Sequence, residues 1–148
     1  MRQLILLRHG HAEPRAPSGR DLDRALTPEG RRESARAGEA LAAAGLRPDR
    51  ALVSAARRTQ ETWTAAAQAL EGVASDVRED LYEAGADALL EAAQACEDET
   101  VLVVAHNPGV GELAARLAGA PAPFPPAAFA AYLWEAGAPR LRLRREPA

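Results

Sequence analysis

Four short stretches of the chain are apolar at every position: Leu4-Ile5-Leu6-Leu7, Ala51-Leu52-Val53, Val101-Leu102-Val103-Val104, and the run from Phe129 to Trp134. Unbroken apolarity over so short a span marks strands buried on both faces, as in a parallel sheet covered by helices. Val77 and the alternating Leu141-Arg142-Leu143 predict two further strands nearer the edge. Helical spacing fills the intervals. Thr27-Pro28-Glu29 supplies an N-cap hydroxyl, a proline at the first helical position and an acid in the first turn. That helix is expected to run to Gly45, with Ala35, Gly38, Leu41 and Ala42 inward. A second is expected after Ser54, to about Leu70. A third spans Asp87 to Cys96, with Leu89, Leu90, Ala93 and Cys96 on one face. A fourth opens at Asn107-Pro108 and closes at Gly119, with Val110, Leu113, Ala114 and Leu117 inward. Strands alternating with helices predict an α/β fold, a three-layer sandwich in which a mostly parallel sheet is flanked by helices. No repeat or linker interrupts the pattern, so residues 1–148 read as one domain. Pro14 to Ala25 and Gly119 to Pro126 are irregular, and loops of that length in a compact domain are usually functional or mobile.

Composition changes this picture little. Hydrophobic residues at 47% and charged residues at 26% are ordinary globular values. A formal net charge of −3 leaves no global basic field for nucleic acid or anionic lipid. No apolar run approaches the length of a membrane span, and the segment from Met1 lacks the small-residue cleavage site of a signal peptide. The single cysteine, Cys96, excludes an internal disulfide framework and a cysteine-based zinc cluster. A cytoplasmic location is therefore expected. All 18 Lys and Arg positions are arginine, which reads as coding bias.

Candidate chemistry appears at the strand ends. In an open α/β sheet, ligands bind beyond the carboxyl ends of the strands. Arg8-His9-Gly10-His11 follows the first apolar run, Ser54-Ala55-Ala56-Arg57-Arg58 the second, and His106-Asn107-Pro108 the third. His9, His106 and at least two arginines are thus expected at one edge. If Ser54 caps the second helix, Arg57 and Arg58 stand in its first turn, where cations oppose the helix macrodipole and an anion nearby would resolve the conflict. Asn107 as N-cap and Pro108 as first helical residue place a helix N-terminus, with its free N–H groups, beside His106. Arg8 adds a guanidinium suited to bidentate phosphate contact. The pattern predicts a phosphate pocket holding two imidazoles. A neutral histidine with one free ring nitrogen can attack phosphorus there, provided its other nitrogen donates to a fixed acceptor.

Taken together and in this order, Arg8-His9-Gly10, then Ser54 and Arg58 with Glu61 and Thr62, then Val104-Ala105-His106-Asn107 resemble the motifs of the histidine phosphatase superfamily, the phosphoglycerate-mutase-like enzymes. The resemblance runs from about Arg2 to Gly119 and is nearest the small protein-phosphohistidine phosphatase branch. Ala55 and Glu61 replace the proline and glutamine that the family often carries. The resemblance implies that His9 accepts the phosphoryl group as phosphohistidine and loses it to water, with Arg8, Arg58 and His106 around the phosphoryl oxygens; Asn107, at the expected helix N-terminus, is a further phosphate-binding candidate. It implies no metal and no cofactor. Leu81-Tyr82-Glu83 resembles the context of the proton donor in the mutase branch, so Glu83 is a candidate general acid. The expected substrate is a phosphorylated protein bearing phosphohistidine, with a small phosphorylated metabolite as the alternative. A monomer is favoured, with no nucleic-acid or membrane partner.

Other readings stand beside these. His9-x-His11 could be a metal pair, the arginines could sit in surface ion pairs, and Arg57 could share the role of Arg58. Glu83 could be a plain solvent-facing acid, and Cys96 reads as a core residue. Gly109-Val110-Gly111-Glu112-Leu113-Ala114, with Glu135 downstream, matches a dinucleotide fingerprint, although too little chain follows it for such a fold. A phosphate-binding module without turnover is a reading of a different class.

Overall fold

The computed structural model describes residues 1–147. Six strands form one sheet: β1 (Gln3–Arg8), β2 (Arg50–Ser54), β3 (Ala74–Arg78), β4 (Thr100–Ala105), β5 (Phe129–Glu135) and β6 (Ala138–Arg145). Four helices accompany them: α1 (Pro28–Ala43), α2 (Arg57–Ala67), α3 (Ala86–Gln94) and α4 (Gly109–Ala118). The spatial order is β3-β2-β4-β1-β5-β6. The first four are mutually parallel, and β5 and β6 are antiparallel additions. This is the mostly parallel α/β sandwich expected.

Both faces of the central strands are buried because both are covered. Leu4 and Leu6 of β1 join one apolar cluster with Leu89 and Ala93 of α3 and Val110 and Leu113 of α4. The alternate residues Ile5 and Leu7 join a second cluster with Ala37 and Leu41 of α1 and Trp63 and Ala66 of α2. Period-two alternation in a strand serves both layers at once. The edges differ: Val77 on β3 is 57% exposed, and Leu141 and Leu143 on β6 are exposed between arginines.

Several boundaries and faces depart from expectation. The cap of α1 is Thr27, as predicted, and its hydroxyl accepts from the Gly30 N–H at 3.0 Å. Its buried face, however, is Ser34, Ala37, Gly38 and Leu41, whereas Ala42 is exposed and Ala35 half-buried. α2 starts only at Arg57, and its cap is Ala56, which offers no side-chain acceptor. Leu90, Leu117 and Cys96 pack at the margin of the core, with Cys96 just beyond the end of α3.

Close approach of α1 and α2 depends on Gly38. A methyl group there would overlap the carbonyl oxygen of Ala66. Gly38→Ala is expected to cost about 1–3 kcal/mol through overpacking, read as a lower urea midpoint with an unchanged m-value.

Candidate active site

The order β2-β4-β1 places three carboxyl ends side by side. Arg8 pairs with Ala105 across β1 and β4, so the next residues, His9 and His106, emerge together. Their ring centroids are 5.4 Å apart. On the far side of β4, Val53 pairs with Val104, which brings Ser54 to His106. The Ser54 hydroxyl lies 2.7 Å from His106 Nε2. Ser54 is therefore not a helix cap. It ends β2 and bonds the second imidazole, a role that its place in the sequence did not reveal.

His9 is 8% exposed, and its Nδ1 lies 2.8 Å from the Gly10 carbonyl oxygen. A carbonyl only accepts, so Nδ1 carries the proton and Nε2 keeps its lone pair. Burial, then the charges of His106, Arg58 and Arg8, push the His9 pKa down to about 3 against an opposing pull from the Gly10 carbonyl. Burial, followed by Arg58 and Arg8, holds His106 down to about 4, while Asp21 pulls it back upward. Both rings are neutral at pH 7. Gly10 is required by close packing, since a Cβ there would strike the Gly30 carbonyl and the Ser34 hydroxyl. Its N–H donates to Thr62 Oγ1 at 3.0 Å, tying the strand end to α2.

The two guanidinium groups are held on one side only. Arg8 Nη1 donates to the Phe124 carbonyl at 3.0 Å. Arg58, 6% exposed, donates to the Asp21 carbonyl at 2.8 Å and to Asp21 Oδ2 at 3.0 Å. Among the described residues, four buried side-chain polar atoms lack a hydrogen-bond partner, and three of them are here: Arg8 Nε, Arg58 Nε and His106 Nδ1. Buried donors without partners are costly and rare. The two guanidinium N–H groups, together with the imidazole nitrogen in the tautomer that protonates it, fit an acceptor with several oxygens.

Arg57 and Arg58 separate cleanly. Arg57 is exposed and its Nε donates to Glu61 one turn on, at 3.0 Å. Asp21 and Glu61 are the anions that relieve the two cations at the start of α2. The sequence does not single out Asp21, which opens a short 3-10 turn (Asp21–Asp23) and meets Arg58 across 37 residues of chain. Its carboxylate accepts from Arg24 at 2.8 Å, from Arg58, and from the Tyr82 hydroxyl at 2.6 Å. The Tyr82 ring stands edge-on to His106, with centroids 5.8 Å apart.

Among the described residues, no hydrogen bond joins the side chains of Asn107, Glu83 or His11 to the rings of His9 and His106. Asn107 spends its side chain on the loop, donating to the Phe124 carbonyl at 3.0 Å and accepting from the Gly111 N–H at 3.1 Å. The N-cap of α4 is Pro108 rather than Asn107. The Val110 N–H meets the His106 carbonyl, so most of the anticipated free donors of α4 are already used. Gly109 packs tightly against the Ala84 carbonyl, a structural reason for a glycine in the fingerprint-like segment. Glu83 is exposed, with a left-handed φ of 60°, and no hydrogen bond or ion pair involves it among the described residues. His11 is exposed and bonds Thr27 Oγ1 at 2.9 Å, away from the His9–His106 pair. Among the described residues no group of three or more His, Cys, Asp or Glu is placed to hold a metal.

An α/β sheet edge that gathers a neutral imidazole with a free lone pair, a second imidazole and two guanidinium groups defines a protein that handles a tetrahedral oxyanion. Residues 4–89 match the family model of the histidine phosphatase superfamily (branch 1), and the chain belongs to that superfamily. It is 35% identical over 118 residues to the uncharacterized protein ML1117 of Mycobacterium leprae, covering 74% of this chain and 70% of that one. It resembles the structure of a candidate phosphohistidine phosphatase SixA from Agrobacterium tumefaciens, with a TM-score of 0.90, 28% identity, and 99% and 98% of the two chains covered. A candidate SixA from Nakamurella multipartitia superposes with a TM-score of 0.85 at 30% identity, covering 99% and 96%. A histidine phosphatase SixA complexed with tungstate superposes at 0.83 with 27% identity, covering 98% and 97%.

The depressed imidazole pKa values have a sign for stability. Unfolding returns each ring to its ordinary value of about 6.5, so the unfolded chain binds more protons below that pH. Stability therefore falls on acidification from about 6.5, by up to about 1.4 kcal/mol per pH unit for each ring. Urea unfolding at pH 7 and pH 5 is expected to show this loss in the wild type, and a shallower slope in His106→Gln.

Proposed function

We propose that the protein is a metal-independent phosphatase that hydrolyses protein phosphohistidine through a phosphohistidine intermediate at His9. The observation that carries the proposal is the His9 ring itself. Its Nδ1–H is spent on the Gly10 carbonyl, which leaves the Nε2 lone pair free, and the ring lies 5.4 Å from His106 and within the electrostatic reach of Arg58 and Arg8. Nε2 donates its electron pair to phosphorus while the P–N bond of the substrate, whose other ring nitrogen carries a proton, breaks and returns its pair to the departing neutral imidazole. Water then attacks phosphorus, the Nε2–P pair returns to His9, and the water proton passes to a phosphoryl oxygen, releasing orthophosphate. Arg8 and Arg58 balance the phosphoryl charge in both steps, in a site where burial strengthens each interaction. When Ser54 donates its hydroxyl hydrogen to Nε2 of His106, the ring proton sits on Nδ1, ready for a phosphoryl oxygen.

The leaving group favours phosphohistidine over a phosphomonoester. An alkoxide needs a proton donor, whereas an imidazole leaves far more readily. Asp21, the carboxylate that bonds Arg58, is kept ionised by hydrogen bonds from Tyr82, Arg24 and Arg58, and so holds no proton to give. The likeness to SixA proteins over nearly the whole chain supports the same reading. We further place the protein in the cytoplasm as a monomeric single domain, its one cysteine being compatible with a reducing compartment. Among the described residues no helix is long and apolar enough to cross a membrane.

Incubation with a histidine-phosphorylated protein in EDTA is expected to release phosphate. His9→Ala should abolish release and still bind tungstate; undiminished turnover in that variant would remove His9 as nucleophile. Faster hydrolysis of p-nitrophenyl phosphate, slowed by Glu83→Gln, would instead favour a phosphomonoester and make Glu83 its acid. Side by side, Arg58→Ala is expected to lower kcat/KM by about 10- to 100-fold, the worth of a charge-assisted hydrogen bond. Arg57→Ala should change it by less than about two-fold, as for an exposed ion pair.

A further inference from the structure

We propose that Asp21 is the positioning residue that decides which edge of Arg58 meets the phosphoryl group. This rests on the reading above that Arg58 binds phosphoryl oxygens.

A guanidinium offers two bidentate edges: the end, formed by Nη1 and Nη2, and the side, formed by Nε and Nη2. Asp21 occupies the end with both its backbone and its side chain. The Asp21 carbonyl takes Nη1 at 2.8 Å and Oδ2 takes Nη2 at 3.0 Å. The side edge remains, with Nε buried and unpartnered and the second hydrogen of Nη2 beside it. That edge matches two oxygens of a phosphoryl group.

Asp21 cannot turn with Arg58, because it is anchored from elsewhere. Arg24 holds Oδ1 at 2.8 Å, and Arg24 is itself tied to the Glu13 carbonyl at 2.7 Å. The Tyr82 hydroxyl holds Oδ2 at 2.6 Å from the segment that packs against His106. Tyr82 in turn keeps its proton, its pKa pushed up to about 12 chiefly by the bond to Asp21. A carboxylate next to an oxyanion site would ordinarily repel the ligand. Here Arg24 offsets its charge on the side away from Arg58. The arrangement differs from a surface ion pair in one decisive respect: Arg58 is buried, so the direction in which it is held is the direction in which it works.

A double-mutant cycle tests the assignment, with tungstate affinity by calorimetry and kcat/KM on a histidine-phosphorylated protein as the two readouts. With Arg58 present, Asp21→Asn is expected to weaken both by about ten-fold. In the Arg58→Ala background the same change should cost less than about two-fold, because nothing is left to aim. Asp21→Ala should follow the same pattern with a larger first step. Equal losses in both backgrounds would show Asp21 merely holding its loop, and no loss with Arg58 present would show that Arg58 aims itself; either overturns the inference. A tungstate cycle that behaves as expected in a protein inactive on phosphohistidine would sink the substrate assignment and leave the role of Asp21 standing.

Discussion

The register between β1 and β4 is the constraint on which the site depends. With Arg8 opposite Ala105, the first residue past each strand is a histidine, and the two rings meet without any help from a loop. A slip of one residue would send alternate side chains to the wrong helical layer. It would also part the His9 N–H from the Ala105 carbonyl, a 3.2 Å bond that extends the pairing into the site. The fold and the chemistry are thus fixed by the same ladder of hydrogen bonds.

A second regularity concerns how the polar groups are aimed. Each of His9, Arg8 and Arg58 gives one donor to a main-chain carbonyl: Gly10, Phe124 and Asp21 respectively. Backbone acceptors on packed segments do not rotate, so each side chain is fixed in orientation with at least one nitrogen, His9 Nε2, Arg8 Nε or Arg58 Nε, left unpartnered. This is preorganisation, in which the cost of ordering donors falls on folding rather than on the reaction. The loop from Gly119 to Pro126 takes part through the Phe124 carbonyl, which receives both Arg8 and Asn107.

How far the amino-acid sequence discloses this varies by element. The strands were legible because burial on both faces leaves an unbroken apolar run, and His9, Arg8, Arg58 and His106 were legible because they sit directly behind such runs or one turn beyond. The inward face of α1 was misjudged because alanine is so abundant that Ala35, Ala37 and Ala42 look alike by type. The start of α4 was misplaced because Asn107 caps from one residue further out than usual. The partners of Ser54 and Asp21 are hidden for another reason. Each residue acts through a partner distant in the chain, His106 and Arg58, and no local spacing announces such a pairing.

The exposed apolar residues at the rims of the sheet carry one more consequence. β6 alternates Leu141 and Leu143 with Arg140, Arg142 and Arg144, and β3 sets Val77 between Asp76 and Arg78. An open strand edge is a template for pairing with another chain, and charges spaced along it penalise that addition. The same sheet that needs an uninterrupted hydrophobic centre to align its histidines thus carries, on its outermost strands β3 and β6, charges that raise the cost of adding a seventh strand.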